Sequence, residues 1–237
     1  MNLILISESD FIGSDHKRVQ IRGRRREHIM SVFHAVPGDR LKVGILGGLT
    51  GIGIVETIDN EKIELSVSLS EPPPQALPFT LVMALPRPKS LKKSIEVATA
   101  LGIKRVFIIE SWRVEKSYWS SPVLQSANLN SHIILGLEGA KDTIPPTIEI
   151  RKRFKPFVED ELPSVAKGTM ALVAHPYSSL ACPHDVNCAV TLVIGPEGGF
   201  IPFEIELLEK NGFQAVTLGP RILRVENAIP ALAGRLF

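Results

Sequence analysis

Only two cysteines, Cys182 and Cys188, occur in 237 residues. That is too few for a disulfide framework, and it points to a reducing cytoplasm. No apolar run approaches the roughly 20 residues that a membrane-crossing helix needs. Met1 to Ser9 lacks the basic lead and long apolar core of a secretion signal and reads as a first strand. Charge of one sign is not in excess either: the net charge is +2, with 22% charged and 44% hydrophobic residues. This is the balance of a soluble globular protein, long enough for one large domain or two smaller ones.

Apolar–polar alternation fills the first 70 residues. Val19 to Ile21, Arg40 to Ile45, Gly51 to Val55 and Ile63 to Val67 read as short strands with Gly, Asp and Asn between them. His28 to His34 fits a helical turn before Pro37-Gly38-Asp39. The expectation is a small β-barrel over residues 1–72, closed off by the stiff connector Pro72-Pro73-Pro74. From residue 73 to 237 strands alternate with helices. Phe79 to Leu85, Val106 to Ile109, Met170 to Ala174, Thr191 to Ile194 and Ala215 to Leu218 are strand-like. Ser90 to Leu101 places Leu91, Ile95, Ala98 and Leu101 on one helical face, with Gly102 at its end. Such alternation predicts an α/β domain with a largely parallel sheet.

Two loops carry the chemistry. Ile194-Gly195-Pro196-Glu197-Gly198-Gly199-Phe200 and Leu218-Gly219-Pro220-Arg221-Ile222-Leu223-Arg224 each follow an apolar stretch and lead into a helical pattern. At the carboxyl ends of parallel strands, such loops offer free main-chain groups to a ligand. Arg221 and Arg224 beside them suit a polyanion or a carboxylate. Upstream, Lys17, Arg18, Arg22, Arg24, Arg25 and Arg26 gather six positive charges within ten positions. They read either as a solvated strand edge or as a patch for RNA phosphates, and the local scarcity of acids favours the patch. Gly44 to Gly53 matches neither nucleotide-loop spacing and reads as a hairpin. Cys182, His184, Asp185 and Cys188 are too few and too loop-bound to argue for a metal site. Glu159-Asp160-Glu161 reads as the acidic face of a short helix or loop.

The two C-terminal motifs, with Glu204 and Glu226 downstream of them, resemble those of the 16S ribosomal RNA uracil-N3 methyltransferases of the SPOUT superfamily. His28-Ile29 with Pro37-Gly38-Asp39 resembles the start of that family's PUA-like β-barrel, Lys93-Ser94 to Leu101-Gly102-Ile103 its first catalytic-domain helix, and His175-Pro176 a strand end beside its cofactor. The resemblance implies a SPOUT-type knotted α/β domain, S-adenosylmethionine as methyl donor, small-subunit ribosomal RNA as substrate, a cytoplasmic homodimer, and neither metal nor membrane. It implies a cofactor site built from His175, Pro176, Ile194, Gly195, Pro196, Glu197, Gly198, Gly199, Leu218, Gly219, Arg221, Ile222 and Leu223. Arg224, Glu226, Glu138 and Lys141 are the implied catalytic group. Arg224 would stabilise the uracil anion or hold a phosphate, and Glu226 would orient it, act as base, or cap the last helix.

Departures from the family pattern cluster away from the cofactor loops. Glu138 is followed by Gly139, and Lys141-Asp142 stands where an arginine is usual. Ala100 and Trp112 replace acidic residues, His34 an arginine, and Val225 and Asn227 the threonines flanking the glutamate. Two alternatives therefore stay open: methylation of another RNA nucleotide, and an RNA-binding relative without turnover. A nucleotide-dependent metabolic enzyme rests on the glycine loops alone.

Overall fold

The computed structural model describes residues 2–237. The chain divides into two compact units, one comprising residues up to Gln75 together with Ile134–Pro145, the other Ala76–Ile133 with Pro146–Phe237.

The first unit is a six-stranded sheet of β1 (Ile4–Ile6), β2 (Phe11–Ile12), β3 (Arg18–Arg22), β4 (Arg40–Ile45), β5 (Thr50–Ile58) and β6 (Lys62–Glu71), in the order β1-β4-β5-β6-β3-β2. Only the β1–β4 pair is parallel. Along β3, Val19 and Ile21 are buried while Arg18 and Arg22 are exposed, as a half-buried strand requires. Ladders join no described residues of β1 and β2, so the expected barrel is a curled, open sheet. The glycine stretch 44–53 is the β4–β5 hairpin and its flanks. Gly51 is obligatory there, because a Cβ would lie 1.9 Å from the Ser68 carbonyl oxygen. The helical turn expected at His28 begins earlier. Gly23, at φ +56°, turns the chain directly from β3 into α1 (Gly23–His28), which widens into a π-turn over Ile29–Phe33. Residues 134–145 join this unit through main-chain bonds. The Glu138 carbonyl accepts from the amides of Asn2 (2.9 Å) and Leu3 (3.1 Å), and that of Thr143 from Gly47 (2.8 Å).

The second unit contains β7 (Leu77–Ala84), α2 (Pro88–Ala100), β8 (Ile103–Ile109), α3 (Ser126–Ala140, whose last turns belong to the first unit), β9 (Thr147–Arg151), α4 (Phe154–Pro156), α5 (Leu162–Val165), β10 (Met170–Ala174), β11 (Val190–Ile194), α6 (Pro202–Lys210), β12 (Gln214–Val216) and α7 (Val225–Leu236). Its sheet is wholly parallel, in the order β12-β10-β11-β7-β8-β9. All five residues of β11 are buried, as expected for a strand covered on both faces. Helix α2 has Pro88 in its first turn, where a missing N–H costs nothing. It buries Leu91, Ile95 and Ala98, and ends before Gly102 at φ +77°. Strand β12 is shorter than its apolar stretch. Thr217 leaves the ladder to pair with the β10–β11 connection, exchanging bonds with Leu180 and Cys182 (both 2.8 Å). That connection is held again at the chain's end, where the Val186 amide donates to the Leu236 carbonyl (2.7 Å).

Candidate active site

Three strand ends define the site. In register, Ala174 of β10 lies opposite both Ile194 of β11 and Val216 of β12, so the loops leaving these strands start side by side. Together they enclose a cavity of about 540 Å³, within the range of small-molecule sites. Its wall includes His175 and Pro176 from the first loop, Ile194 through Gly199 from the second, and Leu218, Arg221, Ile222 and Leu223 from the third. Gly219 alone of the expected loop residues is not in the wall; it turns the chain at φ +118°. Val225, Ala228 and Leu232 of α7 line the same space. Among the described residues, the amides of Glu197, Gly198, Ile222 and Leu223 have no protein acceptor. An apolar floor with unpaired main-chain donors at its rim can hold a flat heterocycle and read its edge.

The second loop is fixed by carboxylates and an arginine. Glu204, 3% exposed, accepts from the Trp112 amide (2.7 Å) through Oε1 and from the Ile201 amide (3.0 Å) through Oε2. It thus closes the N-terminus of α6 and ties it to the segment after β8. Glu197 Oε1 accepts from the Arg87 amide at the start of α2 (3.0 Å). Arg113 donates through Nη1 to the Gly198 carbonyl. Its side chain packs so closely that a Cβ on Gly198 would lie 3.1 Å from Arg113 Cδ. Gly199, at φ +71°, completes the turn with its amide on the Pro196 carbonyl (2.8 Å).

The chain is similar to known proteins over nearly its whole length. The profile of the family described as "RNA methyltransferase domain" matches residues 73–236. The chain belongs to the RNA methyltransferase domain family. It is 26% identical over 237 residues to ribosomal RNA small subunit methyltransferase E of Treponema pallidum, with 96% of this chain and 87% of that protein covered. To ribosomal RNA small subunit methyltransferase E 1 of Borreliella burgdorferi it is 23% identical over 228 residues, with 96% and 94% covered. The crystal structure of a ribosomal RNA small subunit methyltransferase E from Neisseria gonorrhoeae, bound to S-adenosyl methionine, superposes with a TM-score of 0.74 at 21% identity. That match covers 98% of this chain and 95% of the other.

This RNA methyltransferase has a second, charged pocket of about 280 Å³ between α2 and the start of α7, lined by Lys93, Glu96, Val97, Arg224, Glu226 and Asn227. Arg224 is the exposed N-cap residue of α7, and Glu226 lies in its first turn, where a carboxylate suits the positive helix end. Glu226 Oε2 is buried and has no hydrogen-bond partner. The fold therefore brings Arg224 and Glu226 together.

The other two expected catalytic residues, Glu138 and Lys141, belong to the first unit. Glu138 is 1% exposed in the first unit, and both its oxygens accept from Arg24 Nη2, at 2.8 and 2.9 Å. The carboxylate thus holds the Arg24 guanidinium through both oxygens. Lys141 adopts φ +58° after α3, while the Asp142 amide bonds the Leu137 carbonyl (3.0 Å), a Schellman ending in which the lysine acts through its backbone. The basic patch divides in the same way. Arg25 is clamped by Asp10 (both bonds 2.7 Å) and the Leu5 carbonyl, and Arg26 by the Asp59 carbonyl. Lys17, Arg18 and Arg22 project from the exposed face. Burial pushes the Asp10 carboxyl up, but hydrogen bonds from Arg25 and Ser7 and the Arg25 charge outweigh it and hold the group below its ordinary value. Burial also raises the Cys182 thiol, and no metal-holding cluster of His, Cys, Asp or Glu occurs among the described residues.

Sequence reasoning missed Arg113, Glu96 and His132. Glu96 reads as an ordinary residue on the polar face of a helix, and nothing in the linear pattern pairs it with a histidine 36 positions on.

Proposed function

We propose that the chain methylates N3 of a uridine in small-subunit (16S) ribosomal RNA with S-adenosylmethionine as donor. The observation that carries this reading is the cavity at the ends of β10, β11 and β12, whose wall is built from the three loops leaving those strands and whose charged neighbour holds Arg224 and Glu226. The names of the relatives from Treponema pallidum and Borreliella burgdorferi support the ribosomal substrate. The donor bound in the Neisseria gonorrhoeae structure supports the cofactor. The residues fit that donor: an apolar floor for adenine, free amides at Glu197, Gly198, Ile222 and Leu223 for its polar edge, and a volume of about 540 Å³.

When bound, S-adenosylmethionine supplies an electrophilic methyl group. The protein's part is to hold the acceptor in line and to favour the anion that uracil becomes when it loses its N3 proton. Arg224, exposed at the pocket mouth, places a guanidinium where that charge develops. Glu226 orients the base, and its unpartnered Oε2 offers an acceptor to it. His175, Pro176 and the two later loops hold the donor. Lys17, Arg18 and Arg22 hold phosphates, while Arg24, Arg25 and Arg26 shape the strand-to-helix turn that presents them. A boundary at Pro72-Pro73-Pro74 separates an RNA-gripping module from the catalytic one. The strap made by residues 175–189 against Thr217 and Leu236 supports a knotted ending. Tyr177 and Ile222, 81% and 66% exposed at the cavity, support a homodimer in which a second copy covers that rim, and the two free cysteines fit a cytoplasmic location.

The test is nucleoside mass spectrometry of ribosomal RNA from cells with and without the gene, followed by methyl transfer from labelled donor to the unmodified RNA or subunit. Loss of N3-methyluridine and its restoration in vitro are expected. An unchanged nucleoside profile, with no transfer to any RNA, overturns the reading.

A further inference from the structure

The charged pocket contains a second carboxylate, and its partner lies outside the family-like motifs. Glu96, on α2, lines the pocket opposite Arg224 and Glu226. Its Oε1 lies 2.6 Å from Nδ1 of His132 on α3. The two carboxylates are both half-buried but differ in their partners. Glu96 is 36% exposed at its side chain and meets His132, itself 17% exposed, whereas Glu226 Oε2 is buried without a partner. A group that takes a proton in every turnover must release it to water, and Glu96 has that route.

Resting on the methyl-transfer reading above, we infer that Glu96 is the base that accepts the uracil N3 proton and that His132 is its positioning residue. His132 donates through Nδ1–H to Oε1, which fixes the carboxylate plane and leaves Oε2 as its second acceptor. In the step, the N3–H bond breaks and its proton joins Glu96. The freed electron pair on N3 forms the bond to the methyl carbon, and the carbon–sulfur pair returns to sulfur. Charged groups around Glu96 are Lys92 and Lys93, one turn before it on its own helix, Arg224 and Glu226 on α7, and His132 on α3. Strand β8, which also packs on α2, carries Lys104 and Arg105 at its start, the latter turned to Glu149 (3.6 Å) and the Phe107 ring; the packed turn Pro122–Leu124 has no charge. The histidine fixes the direction of the Glu96 carboxylate.

The experiment measures single-turnover methyl transfer to unmodified small-subunit RNA against pH, with S-adenosylmethionine affinity measured in parallel by calorimetry. Glu96→Gln is expected to slow transfer by about a hundredfold or more at neutral pH without changing donor affinity. Its rate should then climb about tenfold per pH unit, because solvent hydroxide must remove the proton, whereas the unsubstituted protein stays nearly flat over the same range. His132→Leu should show the same slope in weaker form. His132→Gln, which keeps a donor, should restore most of the rate. A Glu96→Gln protein with the unsubstituted rate and profile overturns the inference, as does a steep slope in Glu226→Gln alone. Donor binding without methyl transfer by the unsubstituted protein overturns the functional reading itself, and this inference with it.

Discussion

Replacing Glu204 by alanine tests whether the donor cavity is preorganised by a buried side chain that touches no ligand. Its carboxylate accepts two main-chain hydrogen bonds, from Trp112 (2.7 Å) and Ile201 (3.0 Å), at 3% exposure. Hydrogen bonds to a charged group contribute about 1.5–3 kcal/mol each. Removing both removes about 3–6 kcal/mol, from which water entering beside the exposed Trp112 recovers a part. A net loss of about 3 kcal/mol is expected. Glu204→Gln keeps one acceptor but turns an NH₂ group toward the second amide, so it should lose nearly as much. The functional cost follows from geometry. Freed from Glu204, the start of α6 and the 111–113 segment release Arg113 from the Gly198 carbonyl, and the loop amides lose their fixed directions. Urea unfolding should show the stability loss, and calorimetry should show S-adenosylmethionine affinity falling at least about tenfold, or 1.4 kcal/mol. A Glu204→Ala protein that unfolds within about 1 kcal/mol of the original, or binds the donor equally well, would refute the clamp.

Other perturbations separate structural from RNA-directed parts of the first unit. Gly51→Ala should destabilise it by about 3 kcal/mol, since the new Cβ would sit 1.9 Å from the Ser68 oxygen; hydrogen exchange across β5 and β6 should rise, and unchanged protection would contradict the close approach. Asp10→Asn should cost about 2 kcal/mol at neutral pH by weakening the Arg25 clamp. Because the folded carboxyl lies below its ordinary 3.8, this contribution is complete above that value and disappears as pH falls through the lower folded value. The two unfolding curves should therefore converge in acid, and a constant gap would contradict the charge-based account. Replacing Lys17, Arg18 and Arg22 with alanine should weaken RNA binding at low salt and reduce the salt-dependence slope by up to about 3, while thermal stability changes little. An unaltered slope would remove these residues from the RNA surface.

Much of the second unit is legible in the sequence because its determinants are local. The apolar runs of β7, β8, β10 and β11 are visible as such, and Gly102 marks the end of α2. The glycines at 195, 198 and 199 signal a loop that a side chain would obstruct, and the structure gives the reasons: contact with Phe200, packing of Arg113, and a positive φ. Where the linear pattern misleads, the cause is a partner distant in sequence. Arg24 reads as a free phosphate ligand until Glu138, 114 residues away, meets it. Glu138 and Lys141 enter the expected catalytic group through the family resemblance alone; that one meets Arg24 and the other sits at a helix ending is visible only in the structure. The open sheet edge is equally invisible, since closure depends on which strands meet and not on their individual patterns.

These contrasts bear on how the protein diverges from its relatives. The larger cavity lies between three loops at the ends of parallel strands, so its shape depends on glycine positions, on Glu204 and on strand register. Most other side chains can change without altering it, which is how a chain 21% identical to the Neisseria gonorrhoeae protein keeps the same fold over 98% of its length. The smaller pocket is formed by side chains from α2 and α7, and its chemistry changes with each substitution. The departure at Asn227, which lines the smaller pocket, bears on acceptor chemistry, whereas Val225 lines the larger cavity and bears on donor binding. A base held by a histidine from a third helix is a local answer to a general chemical demand. An acidic N–H must be unmade beside a cation, and the proton must leave by a route open to water. On this view donor affinity and acceptor selectivity are physically separable, because one is written in backbone geometry and the other in a few charged side chains.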